Sequence, residues 1–139
     1  MTKKHSQRPA VRRGLPSIIV AAMIAVVCLV DLHGAEQQLP TFEGMDKLVH
    51  ALMFAVLTLA LAFDLRQTRW RRSAPGLLIP PAVYGALIEV LQATLTDVRS
   101  GDWLDWIADI AGALTAFGAL LLYDRFRKHH PESDRRPYE

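Results

Sequence analysis

The stretch LVHALMFAVLTLALAFDL, residues 48–65, decides how this chain folds. Its apolar residues run on without the alternation that a membrane barrel strand requires. At 1.5 Å per residue such a segment reaches about 27 Å as a helix, close to the ~30 Å hydrocarbon layer of a bilayer. Residues 15–32, 75–95 and 104–123 form three further blocks of the same kind. Backbone groups in hydrocarbon need partners inside their own segment, so each block predicts a helix. The expected fold is an all-α membrane protein, a bundle of four transmembrane helices.

Composition agrees with that architecture. The chain has 139 residues, enough for one domain, and 51% of them are hydrophobic. A soluble domain would intersperse those residues with polar ones at helix or strand period. Here they are gathered into blocks, which divides the chain into a basic tail (1–14), a membrane domain (15–124) and a charged tail (125–139). The last stretch, His129–Glu139, is short, charged and contains proline, and is expected to be disordered. The single cysteine, Cys28, lies in the first block. It can form no intrachain disulfide, and a thiolate is costly in apolar surroundings, so packing or lipid contact is its expected role. No internal repeat is visible.

Orientation follows from lysine and arginine. Of the 16 basic residues, all but Lys47 and Arg99 fall in three places. These are the N-terminal tail (Lys3, Lys4, Arg8, Arg12, Arg13), the second connection (Arg66, Arg69, Arg71, Arg72) and the C-terminal tail (Arg125, Arg127, Lys128, Arg135, Arg136). That bias predicts both termini and the second connection in the cytoplasm. The net charge is only +2, and its basic residues flank apolar blocks, so no nucleic-acid partner is expected. The first block also follows a fair signal-peptide n-region. Cleavage after Ala35 would nevertheless put His33 where a small residue is wanted, so the block is read as a retained helix. Trp103 and Trp106 at one boundary, with Trp70 and Tyr123 at the other, suit interfacial anchoring. Ala108, Gly112 and Ala116 in block four, and Ala21 with Ala25 in block one, suit close helix packing. Pro80 and Pro81 are expected to kink the third helix or mark its start.

Ionisable residues inside the blocks cluster toward one end. Block two opens with Asp46, Lys47 and His50. Block three carries Glu89 and Gln92 near its end. Block four is preceded by Asp102 and carries Asp105 and Asp109. Counted along the helices, His50, Asp109 and Glu89 lie about 6, 8 and 9 Å from the outer boundary. Charge in hydrocarbon costs several kcal/mol, so these polar stripes are expected to face one another. Asp46 and Asp102 also stand where they would cap helices two and four. An ion-pair network of the acids with Lys47, His50 and Arg99, fixing helix register, is a structural alternative.

Acids outnumber bases in this group, which suits a divalent cation held by oxygen ligands with His50. It equally suits general acid–base chemistry with Glu89, Asp105 and His50 as catalytic candidates, because crowded carboxylates raise one another's pKa. Lys47 and Arg99 suit a phosphate at the membrane surface. The candidate ligand-binding set is therefore Asp46, Lys47, His50, Glu89, Gln92, Arg99, Asp102, Asp105 and Asp109. No serine or cysteine nucleophile accompanies it.

The order of these residues resembles a known pattern. Asp46-Lys47-x-x-His50 is followed by Tyr84-Gly85-x-x-x-Glu89-x-x-Gln92, then Arg99, then Asp105-x-x-x-Asp109-x-x-Gly112. Together they are similar to the VanZ-like family of small bacterial membrane proteins, over about residues 45–119. Two positions depart from it: Ala51 stands where the family usually has an aromatic residue, and Asp109 where it usually has asparagine. The resemblance implies a multi-pass protein of the bacterial inner membrane and cell envelope. The ligand expected from the residues is the headgroup of an envelope lipid or lipid-linked glycan. The alternatives are an enzyme acting on such a lipid, and a structural or accessory subunit.

Overall fold

The computed structural model of the protein describes residues 14–29, 44–95 and 102–129. Among them the chain forms four α-helices and one short 3-10 turn, with no strand. The helices are α1 (Leu15–Leu29), α2 (Met45–Asp64), α3 (Ala74–Leu95) and α4 (Trp103–His129), and the 3-10 turn, Arg69–Arg72, precedes α3. The apolar blocks thus reappear in order, with shifted ends.

Local chemistry explains the shifts. α2 starts at Met45, earlier than the apolar run, directly after Gly44 at φ 88°, a conformation that only glycine adopts without strain. α3 starts at Ala74 and runs through Pro80 and Pro81, so the prolines do not mark its start. Lacking N–H groups, they leave the carbonyls of Gly76 and Leu77 without their helical donors. α4 continues past Tyr123 to His129, so the segment read as a charged tail begins as helix. Arg125, Arg127 and Lys128 in those added turns suit the negative end of the helix dipole. Asp124 is clasped there by Arg71 at 3.1 Å and Arg72 at 3.6 Å. Residues 30–32 and 130–139, read as helix end and disordered tail, lie outside the described residues.

Met45–Asp64, Ala74–Leu95 and Trp103–Lys128 are long and apolar enough to cross a membrane, and only 22–28% of their apolar windows is buried inside the protein. Leu52, Val83, Val90 and Leu122 all lie on the outside. So continuous an apolar exterior is compatible with lipid and not with water. Trp103, Trp70 and Tyr123 are likewise exposed. α1 is apolar but has 15 described residues, about 22 Å of helix.

Contacts between helix ends set the directions. Ser17, at the start of α1, meets Asp64 at the end of α2, whereas Cys28, at the end of α1, meets Gln92 near the end of α3. Lys47, at the start of α2, meets Asp105 at the start of α4. Neighbours in sequence therefore run antiparallel, α1 parallel to α3 and α2 parallel to α4. The bundle has a Lys47 end and an Asp64 end.

Lipid is as apolar as leucine, so helices associate in it by close packing and hydrogen bonds. The most extensive contact is α2 on α4. Gly112 permits it, because a Cβ there would stand against the Ala51 backbone, 2.7 Å from its carbonyl carbon. Ala113 and Ala116 are buried beside it. A second core joins Ile24 and Cys28 of α1 to Phe54 and Leu57 of α2 and Ile88 of α3, with Ala21 and Ala25 packed against it. Cys28 is thus a packing residue. Tyr84 fastens this core, its hydroxyl donating to the Ala21 carbonyl at 2.6 Å and its ring 6.1 Å from that of Phe54.

Candidate functional site

Because α2 and α4 run parallel, residues at equal distance from their starts come to one level. Lys47 Nζ donates to Asp102 Oδ2 at 3.1 Å and to Asp105 Oδ1 at 3.2 Å. One turn deeper on both helices, His50 Nδ1 and Asp109 Oδ1 are 2.9 Å apart, with side chains 2% and 0% exposed. α3 arrives antiparallel and brings Glu89 to the same end. Glu89 Oε2 accepts the backbone N–H of Asp102 at 2.8 Å.

Asp102 caps α4. Its Oδ1 accepts the Leu104 backbone N–H at 2.9 Å, which satisfies one of the amides that a helix start leaves without partners. That N–H and the Lys47 ammonium hold the Asp102 carboxyl below the usual carboxylate range. Asp46 occupies the first turn of α2, but the residue at the cap position is Gly44, and no side chain caps the helix. Asp46 groups instead with His50 and Asp105, one ligand atom from each lying within 4.8 Å of the others.

Gln92 stands one turn beyond Glu89 on α3, and its amide donates to the Cys28 carbonyl of α1 at 3.0 Å. It therefore joins α1 to α3. Arg99 lies outside the described residues. Of the candidate set, Lys47, Asp102, Asp105 and Glu89 form one hydrogen-bonded group at the Lys47 end and His50 with Asp109 a second, with Asp46 near His50 and Asp105 and Glu89 near His50 and Asp109.

The cluster has unused acceptors. Glu89 Oε1 and Asp109 Oδ2 are buried and have no hydrogen-bond partner among the described residues. Gly85 makes room for the second, since a Cβ at that position would lie 2.6 Å from Asp109 Oδ2. His50, Glu89 and Asp109 each offer one ligand atom within 4.8 Å of the other two. Lone pairs in this number beside an imidazole suit a cation or a transferable proton.

Three polar contacts were not anticipated from the sequence. Asp64 is buried, and its Oδ2 accepts both the backbone N–H of Ser17 at 3.0 Å and the Ser17 hydroxyl at 2.6 Å. A carboxylate there meets the positive end of α1. Its signal was an acid in the last turn of an apolar block. Arg71 and Arg72 are not only topology signals but hold Asp124. Trp106, read as an interfacial anchor, donates Nε1–H to the Ala82 carbonyl at 2.9 Å and so ties α4 to α3.

Fold and site define a helical membrane protein with an acid–imidazole cluster at one end of its bundle. The chain belongs to the VanZ/LLP1 family, whose model matches residues 4–124. The match takes in α1 as well as the three helices that carry the motif residues. No curated protein and no solved structure matches the chain.

Proposed function

We propose that this protein crosses the bacterial inner membrane four times, with both termini in the cytoplasm and the Lys47 end facing the envelope. We further propose that the polar cluster at that end binds the headgroup of an envelope lipid or lipid-linked glycan. The basis is convergence: three helices bring ionisable side chains to one depth at one end of an otherwise apolar bundle. Intramembrane ionisable groups of this kind are functional by default. The cluster grades from an accessible rim to a closed floor. Lys47 and Asp102 are 40% and 37% exposed, while His50 and Asp109 are buried. A headgroup entering from the bilayer surface meets Lys47 first, and Arg99, three residues before Asp102 in sequence, is a second candidate cation for it. The orientation rests on the basic residues of the tails and of the Arg66–Arg72 connection. The fourth span rests on α1, whose 15 described residues lie in an apolar block that the sequence carries on to Leu32.

Native mass spectrometry of the detergent-purified chain with phosphatidylglycerol or a polyprenyl phosphate tests the headgroup. Retention of one of these lipids, weakened in Lys47→Gln, Glu89→Ala and Arg99→Ala, supports the reading. Equal retention in all three variants and the parent ends it. The buried His50–Asp109 pair favours a rival, an enzyme acting on such a lipid with Glu89 or Asp105 as general base and His50 as its partner. Turnover of the added lipid distinguishes it.

A further inference from the structure

The floor of the cluster carries more negative charge than its hydrogen bonds use. Asp109 is fully buried with Oδ1 against the His50 ring, and its other oxygen has no partner among the described residues. Glu89 repeats the pattern, with Oε2 on the Asp102 amide and Oε1 buried without a partner. A buried acceptor without a partner carries its full desolvation cost. Two ionised carboxylates beside a neutral imidazole would moreover leave a charge of −2 at membrane depth.

We propose that His50, Glu89 and Asp109 bind one divalent transition-metal ion, of the zinc or manganese class. A single ion accounts for the unused oxygens and brings the charge of the group to zero. The donor atoms lie within 4.8 Å of one another. Around a common tetrahedral ion at about 2.0–2.2 Å, ligand atoms stand about 3.3–3.6 Å apart, so side-chain rotation must draw any wider pair together by up to about 1.5 Å. The His50 ring and the Asp109 carboxylate already face each other, Nδ1 2.9 Å from Oδ1, and the proton shared between them is released when both groups become ligands. An imidazole among the donors favours a transition ion over magnesium or calcium, which prefer oxygen alone. The overlapping group of Asp46, His50 and Asp105 is the weaker site. Its Asp105 carries the Lys47 ammonium at 3.2 Å, which repels a cation, and Asp46 is exposed.

Three protein donors leave a further position open on the ion. Occupancy of that position by a headgroup oxygen rests on the reading given above; the metal site itself needs no lipid.

The test uses the full chain in detergent, stripped of lipid and chelator-treated, titrated calorimetrically with zinc chloride or manganese chloride. One ion per chain is expected, with proton release. Glu89→Gln and Asp109→Asn, which keep side-chain shape, are each expected to weaken binding by at least about 10-fold. Asp64→Asn, at the opposite end, should bind like the parent, and circular dichroism should show the parent's helix content in all variants. Absence of stoichiometric binding in the parent, or unchanged affinity in Glu89→Gln and Asp109→Asn, overturns the site. Metal binding without lipid binding overturns only the headgroup reading, and lipid binding without metal overturns only the ion.

Discussion

Replacing Gly112 by alanine probes the contact on which both the bundle and the cluster depend. An added Cβ would lie 2.7 Å from the carbonyl carbon of Ala51 and 2.9 Å from its Cα, and closer still to the carbonyl oxygen. These are backbone atoms in the middle of α2, which cannot swing aside as a side-chain tip can. Ordinary contact begins near 3.4 Å, so the carbonyl carbon alone requires α2 and α4 to separate by about 0.7 Å at this level, and the nearer carbonyl oxygen requires more. Gly112 lies just under one turn from Asp109. Transmitted rigidly, the shift stretches the 2.9 Å His50–Asp109 contact to at least about 3.6 Å, no longer a hydrogen bond. Overpacking of this kind costs about 1–3 kcal/mol. Gly118, on the same helix, is the control, because nothing lies within 4 Å of a Cβ there. Gly118→Ala should gain about 0.5–1 kcal/mol from helix propensity alone. Reversible unfolding in mixed micelles, followed by circular dichroism, measures both. If Gly112→Ala proves as stable as Gly118→Ala, the reasoning from close helix approach is refuted.

Three further outcomes are expected. Asp102 has a folded-state pKa below its unfolded value near ~3.9, so its contribution to stability is full above that value and disappears as pH falls through the lower folded one. The stability difference between the parent and Asp102→Asn should accordingly be constant near neutrality and shrink only below about pH 4; a difference that grows on acidification would contradict the assignment. Tyr84→Phe removes the bond to the Ala21 carbonyl and should cost about 0.6 kcal/mol in the same unfolding assay, typical of a hydrogen bond between membrane helices. Alkaline phosphatase fused after Gln38 or Ser100 should be active, and fused after Arg69 or His130 inactive, because short-loop lysine and arginine set orientation; the reverse pattern would place the cluster in the cytoplasm.

Helix number and order, and the shared level of His50, Glu89 and Asp109, were legible in the chain itself. They follow from composition along one dimension: an unbroken apolar run must be helical in lipid, and a fixed rise converts position into depth. That is why His50, Glu89 and Asp109 could be put at one level before any packing was known. Helix ends were less legible, since α4 runs on past Tyr123 where Asp124 meets Arg71 and Arg72, a contact between segments distant in sequence. Pairing across the bundle belongs wholly to the tertiary structure. Lys47 reaches Asp102 and Asp105 on α4, and Gln92, placed by spacing near Glu89, bonds to Cys28 on α1. Asp64 meets Ser17, and Gly112 meets Ala51. A periodic sequence tells which residues share a face of their own helix, but the rotation of that face depends on the neighbours it packs against. Only the assembled helices decide it, because close approach at Gly112 and the partnering of buried polar atoms must be satisfied together.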